Sequence, residues 1–127
     1  MKVLTRLIGV ALCCAVLPAL AASDPGASTC LKRAESVLAA LDAGDFDKAR
    51  VDFDERMQSG LGADKLRQVW ASLPQQVGER LTVAPGRSQP AAEGELAIIP
   101  LQHAKAWLDL QISCAADGRV SGLFVRP

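Results

Sequence analysis

Few side chains in this sequence are able to move a proton, hold a cation or form a covalent bond, and their spacing decides what each is worth. The densest group is the acidic run Asp42, Asp45, Asp47, Asp52, Asp54 and Glu55. A calcium loop sets oxygen ligands at alternate positions around a glycine and closes with a bidentate glutamate. Lys48 and Arg50 interrupt the run here, and helical periodicity accounts for it as a solvated face. His103 is the single histidine, too little for a structural zinc site of four ligands, so no metal is expected. It falls at an expected strand end beside a turn, where an exposed or cap-like role is the plain reading.

Nucleophilic catalysis fares no better, because the Gly-x-Ser-x-Gly elbow of a serine hydrolase is missing. General acid-base work needs as little as one pocket carboxylate with a donor opposite. Asp109 is the one acidic residue in the middle of an expected strand, but alternation turns it away from Leu108 and Leu110. With no tyrosine in the chain, a common donor to a developing oxyanion is also missing. Gly60-Leu61-Gly62 lacks the preceding strand and further glycine of a phosphate-binding loop, and reads as a linker. No catalytic residue and no cofactor are therefore assigned.

The cysteines carry more information once the start of the chain is set aside. Lys2 and Arg6 followed by the apolar run Leu7 to Leu20 read as a secretory signal peptide over 1–21, cleaved after Ala21. Leu12 precedes Cys13, and Cys13 precedes Cys14, so neither has the small residue that a lipoprotein signal places before its cysteine. Residues 22–29 are then a flexible mature N-terminus and 30–127 one domain, about 105 residues in all. Without Lys2 and Arg6, twelve basic residues face fourteen acidic ones with the signs interspersed. That gives no basic face for nucleic acid, and no second apolar run for a membrane. The protein is expected to be periplasmic or secreted, where Cys30 and Cys114 form a disulfide, the alternative being two buried thiols.

The elements that position these residues follow from periodicity. Cys30, Ala34, Val37, Leu38 and Leu41 share one helical face, with Ser28 or Thr29 as cap and Ala43-Gly44 as stop. Asp45 caps a second helix with the stripe Phe46, Ala49, Phe53 and Met57. A third carries Leu66, Val69, Trp70 and Leu73, and Pro74 should end or kink it. Beyond Gly78 the period changes to two, giving four strands over 79–84, 95–102, 105–114 and 119–125, antiparallel because their links are short. In the third strand Leu108, Leu110, Ile112 and Cys114 share a face, so both cysteines point toward the core, as a helix-to-sheet disulfide requires. Pro100 marks an edge or bulge. A single helix hairpin before the sheet excludes a tetratricopeptide array, which needs several copies.

Three stretches carry a resemblance: "LDAGDFDKARVDFDERM", then "KLRQVWASL" with Gly78, then the closing "DGRVSGLFVRP". Over residues 30–127 the chain resembles an uncharacterised exported domain family of the nuclear-transport-factor-2-like (NTF2-like, cystatin-like) fold, often found ahead of a serine α/β-hydrolase domain. The resemblance implies an α+β cone, three helices on a bent four-stranded antiparallel sheet, that commonly dimerises through its outer face. The expected function is non-enzymatic: self-association, partner binding or small-ligand capture. An accessory role beside a separate periplasmic α/β-hydrolase, or a small isomerase or hydratase activity, is the alternative. Trp70, Leu73, Leu110 and Phe124 are the candidate lining of a pocket for an apolar ligand. Ile99, Leu101, Trp107, Leu123 and Val125, with Ala97, are the candidate outer face for a second copy or another partner.

Overall fold

The computed structural model describes residues 28–127. The signal-peptide reading and its cleavage site lie outside them.

Helix α1 (Thr29–Asp42) begins where the Ser28 side chain accepts the Leu31 amide, satisfying one of the donors that a helix start leaves open. It ends before Gly44, whose φ of 74° is the left-handed conformation that glycine adopts without cost. The expected second helix is instead two: α2 (Phe46–Ala49), capped by Asp45, and α3 (Glu55–Gly60), capped by Asp54. The break between them is held by the sheet. Phe53 makes a parallel bridge to Val120, the Asp54 and Val120 amides bond across it, and Arg119 donates to the Phe53 carbonyl. Helix α4 (Ala63–Val77) runs through Pro74 rather than stopping there, and Gly78, at φ 82°, turns the chain away. Proline in that turn removes only the amide that would have served the Trp70 carbonyl.

Five antiparallel strands follow: β1 (Arg80–Val83), β2 (Arg87–Ala91), β3 (Gly94–His103), β4 (Trp107–Ala115) and β5 (Val120–Arg126). Strand β2 occupies the expected link between residues 84 and 95, where Pro85, Gly86 and Pro90 favour turns. Strands β1 and β2 lie end to end along one edge of β3, pairing with its C-terminal and N-terminal halves. Pro100 is consequently in a central strand, not an edge. In a strand a residue's nitrogen and carbonyl point the same way, and the Pro100 carbonyl accepts Ala84 in the gap between β1 and β2. Its missing N–H therefore falls where no strand needs it.

One face of β3–β4–β5 carries the core. Ala97, Ile99 and Leu101 pair with Ile112, Leu110 and Leu108, and Cys114 pairs with Val120. These residues are buried, all but Leu108 in one cluster with Leu31, Ala34, Val37, Leu38 and Leu41 of α1. Cys30 and Cys114 are joined by a disulfide with their Cα atoms 5.9 Å apart.

Several face assignments change as a result. Ile99 and Leu101 lie under α1, not on the outer surface, because their register partners Leu110 and Leu108 share the side of Cys114. Leu123 and Val125 pair with Ile112 and Leu110 and pack against the same core. Phe124 alternates with them and points outward, 45% exposed, beside Gln111. Leu110 is fully buried packing and lines no cleft. Trp107 is on the outer face, 52% exposed.

Because the disulfide closes a separation of 84 residues, its removal should release much unfolded-state entropy. Cys30→Ala/Cys114→Ala is expected to lose up to about 4 to 5 kcal/mol in urea unfolding with an otherwise folded spectrum. An unchanged midpoint would show that the link does not hold α1 to the sheet.

Candidate functional site

Helix α4 packs on α2, and its C-terminal end meets the start of β1 and the turn that follows β3. Backbone bonds fasten that meeting. Lys105 donates to the Val77 carbonyl and Ala104 to the Glu79 carbonyl, each at 2.9 Å. Between them, His103 Nδ1 lies 2.8 Å from the Gly78 carbonyl oxygen. A carbonyl only accepts, so Nδ1 carries the hydrogen, and in the neutral ring Nε2 is left as an acceptor.

His103 is 6% exposed, and its Nε2 is buried without a hydrogen-bond partner. Sequence reasoning gave this residue an exposed or cap-like place. The cap-like half agrees with its bond just past the end of α4, while the ring itself is enclosed. It lines a cleft of about 270 Å³ together with Asp42, Trp70, Leu73, Pro74, Glu79 and Arg80. Arg80 forms an ion pair with Asp42, each about a third exposed or less, and its guanidinium carbon sits 5.9 Å from the Trp70 ring centroid. The pair thus bridges the end of α1 and the start of β1 while steadying the indole.

The other cited residues distribute plainly. Trp70 and Leu73 are brought together in this cleft, whereas Leu110 and Phe124 are elsewhere. Asp109 lies on the outer face opposite Pro100 and Arg126. Of the acidic run, Asp42 and Asp52 pair with Arg80 and Arg33, and Asp45 and Asp54 cap helices. Among the described residues no group of three His, Cys, Asp or Glu gathers as a metal site requires. Sequence reasoning missed Asp42, Glu79 and Arg80 as a set, since their meeting depends on how α1 and α4 both end over β1. The lone histidine at a strand end was the one signal available.

Two larger clefts exist. One, about 420 Å³, runs between α1 and the β1–β2 link, and the other, about 430 Å³, lies beside the disulfide. The first contains no unsatisfied buried side-chain atom. In the second, half-buried Glu95 has one oxygen without a partner, but the lining, with Glu95 and Asp117 as its charged residues, has no aromatic wall and no cation.

A family model described as a protein of unknown function (DUF3887) matches residues 34–123. No curated protein and no solved structure matches the chain.

The Arg80–Asp42 pair makes a specific expectation for the cleft. In a Trp107→Phe background, Arg80→Met should shift Trp70 emission and cost no more than about 1 kcal/mol in chemical denaturation, as partly exposed pairs do. Arg87→Met, on β2, should change neither. Identical Trp70 emission in both variants would show that Arg80 does not shape the cleft.

Proposed function

The chain belongs to the DUF3887 family of proteins of unknown function, and from that premise we propose that it is a non-enzymatic binding domain of the NTF2-like type working outside the cytoplasm. Its small-ligand site is the His103 cleft. The helices-on-one-face arrangement and the Cys30–Cys114 disulfide support this reading of fold and compartment. The observation that carries the binding role is the enclosed His103 ring with Nε2 unpartnered. Buried polar atoms normally find a partner, and one left open beside a cleft is a place for a ligand to supply it.

An isomerase or hydratase has less support. That chemistry calls for a carboxylate free to take a proton in the cavity, yet Asp42 is engaged by Arg80 and Glu79 is exposed. The cleft is equipped to hold a molecule rather than to transform it. A thermal-shift screen of small ring compounds should find stabilising members whose effect disappears in Trp70→Ala. A screen with no Trp70-dependent shift would refute the cleft as a ligand site.

Self-association is a second binding role, favoured by Trp107 and Phe124 standing exposed on the sheet face that none of the helices among the described residues covers. Asp109 and Arg126 are cross-strand neighbours on that face, so a two-fold related copy would meet opposite charges. Light scattering should report a dimer that Trp107→Lys dissociates. A monomer at every concentration would exclude this role.

A further inference from the structure

We infer that the ligand of the His103 cleft is an uncharged small molecule that presents an O–H or N–H donor on a compact apolar body. The inference rests on the cleft being a ligand site and adds the chemistry that the site selects. Three features of the lining carry it.

The first is the polarity of the open atom. With Nδ1 donating to the Gly78 carbonyl, the neutral His103 ring offers Nε2 as an acceptor, and only a donor satisfies it.

The second feature is charge. Among the described residues Arg80 is the single cation lining the cleft, and Asp42 already holds it, while Asp42 and Glu79 are the anions. A carboxylate or phosphate would enter a lining with no free cation and an excess of negative charge. An ammonium would gain only exposed, solvated Glu79, while losing its own water against the buried His103 ring close to the Arg80 guanidinium. Neither charge meets a buried counter-charge beside His103, and a neutral donor meets no such penalty.

The third feature is size and surface. Trp70, Leu73 and Pro74 supply apolar walls, and about 270 Å³ lies below the usual range of drug-sized pockets, which suits one ring. Nε2 itself is out of solvent contact, so a donor reaches it only when a side chain of the lining moves, and the half-buried Trp70 in the same lining is the reporter of binding.

The test uses the full domain with four matched probes: benzyl alcohol, benzyl methyl ether, toluene and benzoate. Binding is followed by Trp70 fluorescence in Trp107→Phe and by the imidazole ¹⁵N signals of His103. Benzyl alcohol should bind tightest, with the ether and toluene weaker by about tenfold or more for want of the donor, and benzoate not binding. Nε2 should lack a proton in the free protein and its resonance should move on adding the alcohol. In His103→Phe the preference for alcohol over ether should vanish; if that variant does not fold, the ¹⁵N measurement on the histidine-bearing protein decides alone. Tighter binding of the ether or benzoate, or a proton on Nε2 in the free protein, overturns the donor class and leaves the cleft as a ligand site. No binding by any of the four also overturns it, and the cleft itself falls only if the Trp70-dependent screen is blank too.

Discussion

The packing of α1 across the inner face of β3 and β4 is the constraint from which the rest follows. Ala97, Ile99 and Leu101 on one strand and Leu110, Ile112 and Cys114 on the next are removed from water only because Leu31, Ala34, Val37, Leu38 and Leu41 lie over them. Side chains alternate with a period of two, so a one-residue slip would turn this set outward and bring Gln111 and Ser113 beneath the helix. The Cys30–Cys114 link fixes the helix to the strand at the same end, reinforcing the register rather than creating it.

What α1 covers also determines what stays open. It occupies the middle of the sheet, so α4 is left to rest on α2 and to meet the sheet at the start of β1 and the turn after β3. The seam is closed by backbone bonds to the 103–106 turn and by the Asp42–Arg80 pair, not by a full apolar interface. A cleft with a histidine in its wall results. The opposite sheet face receives no helix from the described residues, and Trp107 and Phe124 stand on it beside Gln111 and Asp109. Two separate surfaces, one concave and one flat, are thereby available for binding.

Much of the fold was legible from spacing. The α1 stripe, the β4 alternation and the facing cysteines are strong periodic signals, and each is found in place. The second helix read as continuous because Phe46, Ala49, Phe53 and Met57 keep helical spacing; Phe53 instead serves the bridge to Val120, a contact 67 residues away. Strand β2 was hidden by Pro90, tolerated because β2 is an edge. Strand β3 has apolar residues on both faces, Leu96 and Ile98 outside and Ala97, Ile99 and Leu101 inside, so alternation alone does not say which side meets the helix. Only pairing with β4 resolves it, and the pairing of β5 with β4 sends Phe124 outward. For the site, Trp70 and Leu73 were legible as one helix face, whereas Asp42, Arg80 and His103 converge from three elements that no local pattern relates.

Native-state hydrogen exchange tests the central packing claim most directly. The amides of Val37, Leu38 and Leu41 should be as slow as those of Leu101, Leu110 and Ile112, and all should respond to denaturant with one common slope, because helix and strands open together. If the α1 amides exchange faster and with a smaller slope than the β3–β4 amides, the helix opens independently of the sheet and the account is contradicted.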